Sequence, residues 1–110
     1  MYENEQAKEL LRQIILRFRQ KAEERGHHPL ILIMPQLLDL ELTEGERAPY
    51  EMFYEELQSD VDVVDMTRIF KQKNFHRLYI DDQYGGHLSV EGNRLVAVEI
   101  QSWLQKRKLL

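Results

Sequence analysis

At 110 residues, with 15 Lys and Arg against 19 Asp and Glu, the chain is long enough for one compact domain spanning residues 1–110 and too short for two. With 43% hydrophobic and 31% charged residues and no low-complexity tract, its composition is that of a folding globular protein. The lack of cysteine excludes disulfide staples, a thiolate nucleophile, an iron–sulfur cluster and a cysteine zinc site. A net charge of −4 with no dense basic stripe argues against nucleic acid as a partner.

The longest apolar run, Leu30 to Met34, is far too short to span a bilayer, so no membrane partner is expected. The start Met1-Tyr2-Glu3-Asn4-Glu5 lacks the basic residues of a secretory signal, which implies a cytoplasmic protein.

From Ala7 to Ala22 the apolar residues Ala7, Leu10, Leu11, Ile14, Ile15, Phe18 and Ala22 recur at helical spacing. Asn4 suits the cap and Gly26 a left-handed stop, so the spacing predicts a helix from about Glu5 to Arg25. Leu30 to Met34, closed by Pro35, is continuously apolar and reads as a parallel strand covered on both faces. Gln36 to Pro49 mixes leucines with acids and Gly45, and reads as a long loop at that strand's carboxyl end.

Pro49 fits the first turn of a second helix, whose Tyr50, Phe53, Tyr54 and Leu57 follow helical spacing to about Ser59. Val61, Val63, Val64 and Met66 form a second strand, less buried than the first because Asp62 and Asp65 interrupt it. Thr67 to Arg77 holds a short helical turn with Ile69, Phe70 and Phe75 inward. A last helix, capped by Ser89, presents Leu95, Val96, Ile100, Trp103 and Leu104 on one face, and Lys106-Arg107-Lys108 complements its dipole. The order helix, strand, helix, strand, helix predicts an α/β fold with parallel strands and helices on both faces. Two strands are few for an independent sheet, and the first has an open apolar edge. That edge calls for a partner: another copy of the chain, or a missing half of the fold.

Chemistry concentrates in residues 79–97, where Asp81, Asp82, Gly85, Gly86 and His87 come directly before a helix cap on a loop reached from the second strand. Histidine so placed serves as a general base, since its ordinary pKa near 6.5 lets it take and return a proton at neutral pH. A neighbouring carboxylate would fix its tautomer and stabilise the imidazolium. Adjacent His27 and His28 point in different directions and have no spaced ligand set, so no metal site is expected, and no cofactor motif is present.

The run His87-Leu88-Ser89-Val90-Glu91-Gly92-Asn93-Arg94-Leu95-Val96-Ala97 resembles the C-terminal block of the SGNH (GDSL-type) hydrolases, esterases and acyl hydrolases with a flavodoxin-like three-layer α/β fold. In that family an Asp-x-x-His element, commonly continuing His-Leu-Ser-x-x-Gly-x-x-x-x-Ala, carries the catalytic base before the last helix. Leu30 to Met34 with Pro35 is similar to the family's fourth strand, and Val61 to Thr67 to its fifth. The resemblance implies the C-terminal half of such a domain, with His87 as base. The family's acid lies three residues before the histidine, where this chain has Tyr84, so Asp82 and Asp81, five and six residues before, are both candidates for the orienting acid. The family's nucleophilic serine in a Gly-Asp-Ser element and its oxyanion Gly and Asn have no counterpart in the chain. Two functions follow from different classes: part of a serine ester hydrolase acting on a small-molecule, carbohydrate or lipid ester once joined to its upstream half, or a non-catalytic homodimeric interaction module.

Overall fold

The computed structural model describes residues 1–80 and 86–110. In chain order it contains α1 (Glu5–Glu24), β1 (Leu30–Ile33), α2 (Leu37–Leu42), α3 (Glu51–Leu57), β2 (Asp62–Asp65), α4 (Met66–Lys71), a 3-10 turn (Phe75–Leu78) and α5 (Val90–Lys106). The two strands are parallel neighbours in one small sheet, so the α/β class holds. The chain folds as two compact units, one from Met1–Leu32 with Arg47–Asp65 and the other from Ile33–Glu46 with Met66–Leu110.

In the first unit, α1 begins where the Asn4 side chain accepts the Ala7 N–H at 3.0 Å, and it stops before Gly26, whose φ of 75° only glycine adopts cheaply. Its apolar stripe divides lengthwise. Ile15 is buried with Phe53, Leu57 and Val61, and half-buried Tyr2, Leu11, Ile31, Tyr54 and Val63 close around them. Leu10, Ile14 and Phe18 instead remain 63%, 56% and 46% exposed. A helix with so wide a stripe has more apolar surface than one small sheet can cover.

Helix α3 packs on β2. It starts at Glu51 and not at Pro49, because the buried Glu51 carboxylate accepts the Ala48 N–H and closes the first turn there. The Tyr2 ring lies against Tyr50, Phe53 and Tyr54, its hydroxyl 3.4 Å from that of Tyr54. Arg12 holds its guanidinium 5.2 Å over the Phe53 ring and reaches Glu56 at 3.4 Å. Arg19 donates to the Asp60 carbonyl at 2.7 Å, tying α1 to the chain entering β2.

Every residue of β1 is half-buried and Met34 is exposed, so the strand is not covered on both faces as its sequence suggests. The apolar run records a demand for cover that two strands and the helices of this unit meet only in part.

The second unit corrects the loop expected at Gln36 to Pro49. Its first half is α2, started by the Asp39 carboxylate accepting the Gln36 N–H at 2.9 Å and anchored by fully buried Leu40. Met66 belongs to α4 and not to β2, and is buried there with Thr67 and Phe70. The 3-10 turn lies against α2, α4 and α5, burying Phe75 and Leu78. In α5 the apolar residues are at best half-buried, and Gly92 is the one buried residue. Among the described residues, no helix is long and apolar enough to cross a membrane.

Candidate active site

The site is built from the 3-10 turn outward. Tyr79 and Leu88 form an antiparallel bridge, and the Ile80 N–H donates to the His87 carbonyl at 3.0 Å. The chain leaving the turn and the chain returning to α5 are therefore stitched together, with His87 at the returning root and its side chain exposed. Asp81 and Asp82, with Gln83, Tyr84 and Gly85, lie outside the described residues. Of the predicted catalytic residues the described structure includes His87; Asp81 directly follows Ile80 in the chain.

The residues after His87 each have a constructional use. The Ser89 N–H donates to the Leu78 carbonyl at 2.8 Å, its hydroxyl donates to the Arg77 carbonyl at 2.8 Å, and the same oxygen accepts the Gly92 N–H at 3.2 Å. One serine therefore caps α5 and satisfies the end of the 3-10 turn. Its proton is committed to a carbonyl, which fits the expectation that Ser89 is a cap and not a nucleophile. Asn93 donates to the carbonyls of Leu88 and Ser89 at 3.4 and 3.1 Å, holding the entry to the helix from inside its first turn.

Gly92 has the strictest requirement. A Cβ built on it would sit 2.3 Å from the Leu78 carbonyl oxygen and 3.2 Å from the Leu88 side chain, so only glycine allows α5 to approach the turn this closely. Gly86, in contrast, would have nothing within 4 Å of an added Cβ. No family model matches the chain, and no curated protein or solved structure matches it.

Three further groups belong to the geometry. Tyr79 is buried at 6% exposure; its hydroxyl donates to the Pro35 carbonyl at 2.5 Å and its ring stands edge-on to Phe70 at 6.0 Å. Sequence reasoning gave Tyr79 no role, and its only signal is an aromatic residue placed between the apolar Leu78 and Ile80. Arg77 lies 3.9 Å from Glu91, both exposed, an ion pair of little energetic weight. His76 stacks on Phe75 and meets Glu41 at 3.2 Å across the exposed side of α2. Among the described residues no group of three or more His, Asp or Glu stands where it could hold a metal ion.

Chemically, an exposed imidazole at a fixed backbone position can accept a proton from a hydroxyl brought to it. The three serines of the chain do not supply that hydroxyl from a recognisable nucleophile setting. Ser59 donates to the Glu56 carbonyl, Ser89 is the cap, and Ser102 lies within α5.

Proposed function

We propose that the chain is the C-terminal part of a serine ester hydrolase of the SGNH type, with a flavodoxin-like sandwich completed by an upstream half. His87 is its general base, and Asp82 or Asp81 orients the imidazole. The observation that carries the reading is the division of labour within the His-Leu-Ser-x-x-Gly run: Leu88, Ser89 and Gly92 build the clamp, while the His87 side chain stands exposed at its edge. The half-buried β1 and the uncovered stripe of α1 support an incomplete sheet.

In this reading a serine hydroxyl from the upstream half attacks the ester carbonyl as His87 takes its proton. The acyl–oxygen bond breaks and His87 gives the proton to the leaving alcohol; a water deprotonated by the same imidazole then attacks the acyl-enzyme, and as the acyl–serine bond breaks His87 returns that proton to the serine. Oxyanion donors come from the upstream half, and each is worth about 2.7–4 kcal/mol. The test is aryl-ester hydrolysis by a polypeptide joining this chain to an upstream segment with a Gly-Asp-Ser element. His87→Ala should abolish nearly all turnover, Asp82→Asn and Asp81→Asn should separate the orienting acid from a bystander, and the 110-residue chain alone should stay at background. An unchanged rate in His87→Ala removes the assignment.

A second reading, a non-catalytic homodimeric module, is favoured by one feature: Leu10, Ile14 and Phe18, one helical turn apart, form a continuous exposed apolar line. Sedimentation of the chain distinguishes the two, since a sharp monomer across concentrations ends the dimer reading.

A further inference from the structure

We infer that Tyr79 is a positioning residue for His87, acting through the backbone it shares with the clamp; the inference rests on the reading of His87 as the general base. Tyr79 is pinned at its hydroxyl, its ring and its backbone. The hydroxyl donates at 2.5 Å to the carbonyl of Pro35, two residues beyond the end of β1. The ring stands against fully buried Phe70, and the backbone bridges to Leu88, the neighbour of His87.

The residue therefore connects Pro35, on the chain leading into α2, to the chain that carries the histidine. Ser89 and Gly92 fix the far side of His87 against Arg77 and Leu78. Those contacts hold the clamp to the 3-10 turn. The hydroxyl of Tyr79 ties it in addition to Pro35, on the chain leading into α2. A buried phenol finds a partner or costs free energy, and here that requirement serves as a locating pin.

Tyr79→Phe keeps the buried ring and deletes the pin, and Phe70→Leu weakens the same packing while keeping the hydroxyl bond. Nuclear magnetic resonance of the 110-residue chain reads both, through the His87 ring-proton shifts and through amide exchange of Ile80, whose N–H is bonded to His87. In Tyr79→Phe the His87 ring signals should shift, and Ile80 exchange should quicken about tenfold, the worth of one neutral hydrogen bond. Phe70→Leu should lower the unfolding midpoint without moving the His87 signals. His87 signals unmoved in Tyr79→Phe, or moved equally by both variants, overturn the proposal. A Tyr79→Phe chain with no helical circular dichroism also overturns it, by making Tyr79 a core residue and nothing more. Whether His87 is a base at all is read separately, in ester turnover of His87→Ala, so either idea can fail without the other.

Discussion

The two long helices are held by opposite means. Helix α1 is attached by side chains, with Ile15 buried among Phe53, Leu57 and Val61. Helix α5 has no fully buried side chain, and the contacts at its first turn are made to backbone: the Ser89 hydroxyl and N–H donate to the Arg77 and Leu78 carbonyls, and Gly92 lies directly against the Leu78 carbonyl. Side-chain attachment spreads its tolerance over many atoms, because neighbouring residues relax into a gap. Backbone attachment has no such slack, since a carbonyl in a hydrogen-bonded turn cannot yield to a new methyl group.

The sharpest way to break this contrast is one methyl group on α5. Gly92→Ala places a Cβ 2.3 Å from a backbone oxygen, so it should destabilise the second unit by about 3 kcal/mol or more, at the upper end of overpacking costs. Urea unfolding followed by circular dichroism measures it. A loss within about 0.5 kcal/mol, the scale of an ordinary surface change, would mean that α5 does not depend on this approach.

Next in size is a pair of neighbours on α1. Ile15→Ala should cost about 2–4 kcal/mol by leaving a cavity among buried neighbours, whereas Ile14→Ala, 56% exposed before the change, should stay within about 0.5 kcal/mol. Equal losses at the two positions would show that the exposed stripe is covered in solution, and would turn attention to self-association. Ser89→Ala follows, at about 0.5–2 kcal/mol for a lost helix cap. Because the same hydroxyl also serves Arg77, a loss at the top of that range would sharpen the view of α5 as anchored at one point.

The contrast also explains what was legible in the sequence. Side-chain periodicity announced α1 within a residue of its ends, because a 3.6-residue stripe is a statement about burial, and it placed Phe53 and Leu57 in the core for the same reason. It misled over Leu10, Ile14 and Phe18, since a stripe shows which side wants cover and not whether cover is present. Helix α2 escaped because its start depends on one carboxylate, Asp39, reaching back to one N–H, and its six residues are too few to establish a period. At the candidate site, Ser89 was readable as a cap from residue type and place. The need for glycine at position 92 was not, because it comes from Leu78, fourteen positions away, and the pin from Tyr79 to Pro35 spans 44. Long-range backbone approaches leave no periodic trace.

The smallest expected effect lies where α1's side of the comparison meets a titrating group. Burial, then the hydroxyl of Tyr2 at 3.4 Å, and last the negative charge of Asp65 push the Tyr54 phenol well above its ordinary range. An acid whose folded pKa is raised holds its proton more tightly in the folded state than in the unfolded one. Its contribution is therefore complete below the unfolded value, about 10 for tyrosine, and is lost as pH climbs from there toward the folded value, because the unfolded chain ionises first. At neutral pH, Tyr54→Phe should change stability by no more than about 0.5 kcal/mol, since a 3.4 Å hydroxyl pair is a weak hydrogen bond. Above pH about 10 the wild-type chain should lose stability faster than the variant, which has no proton to surrender at this position. Urea midpoints of the two proteins, compared at about pH 8 and about pH 11, read the effect directly. Curves that stay parallel across that interval would show the Tyr2–Tyr54 edge of the first unit open to water, and α1 held there by less than its packing indicates.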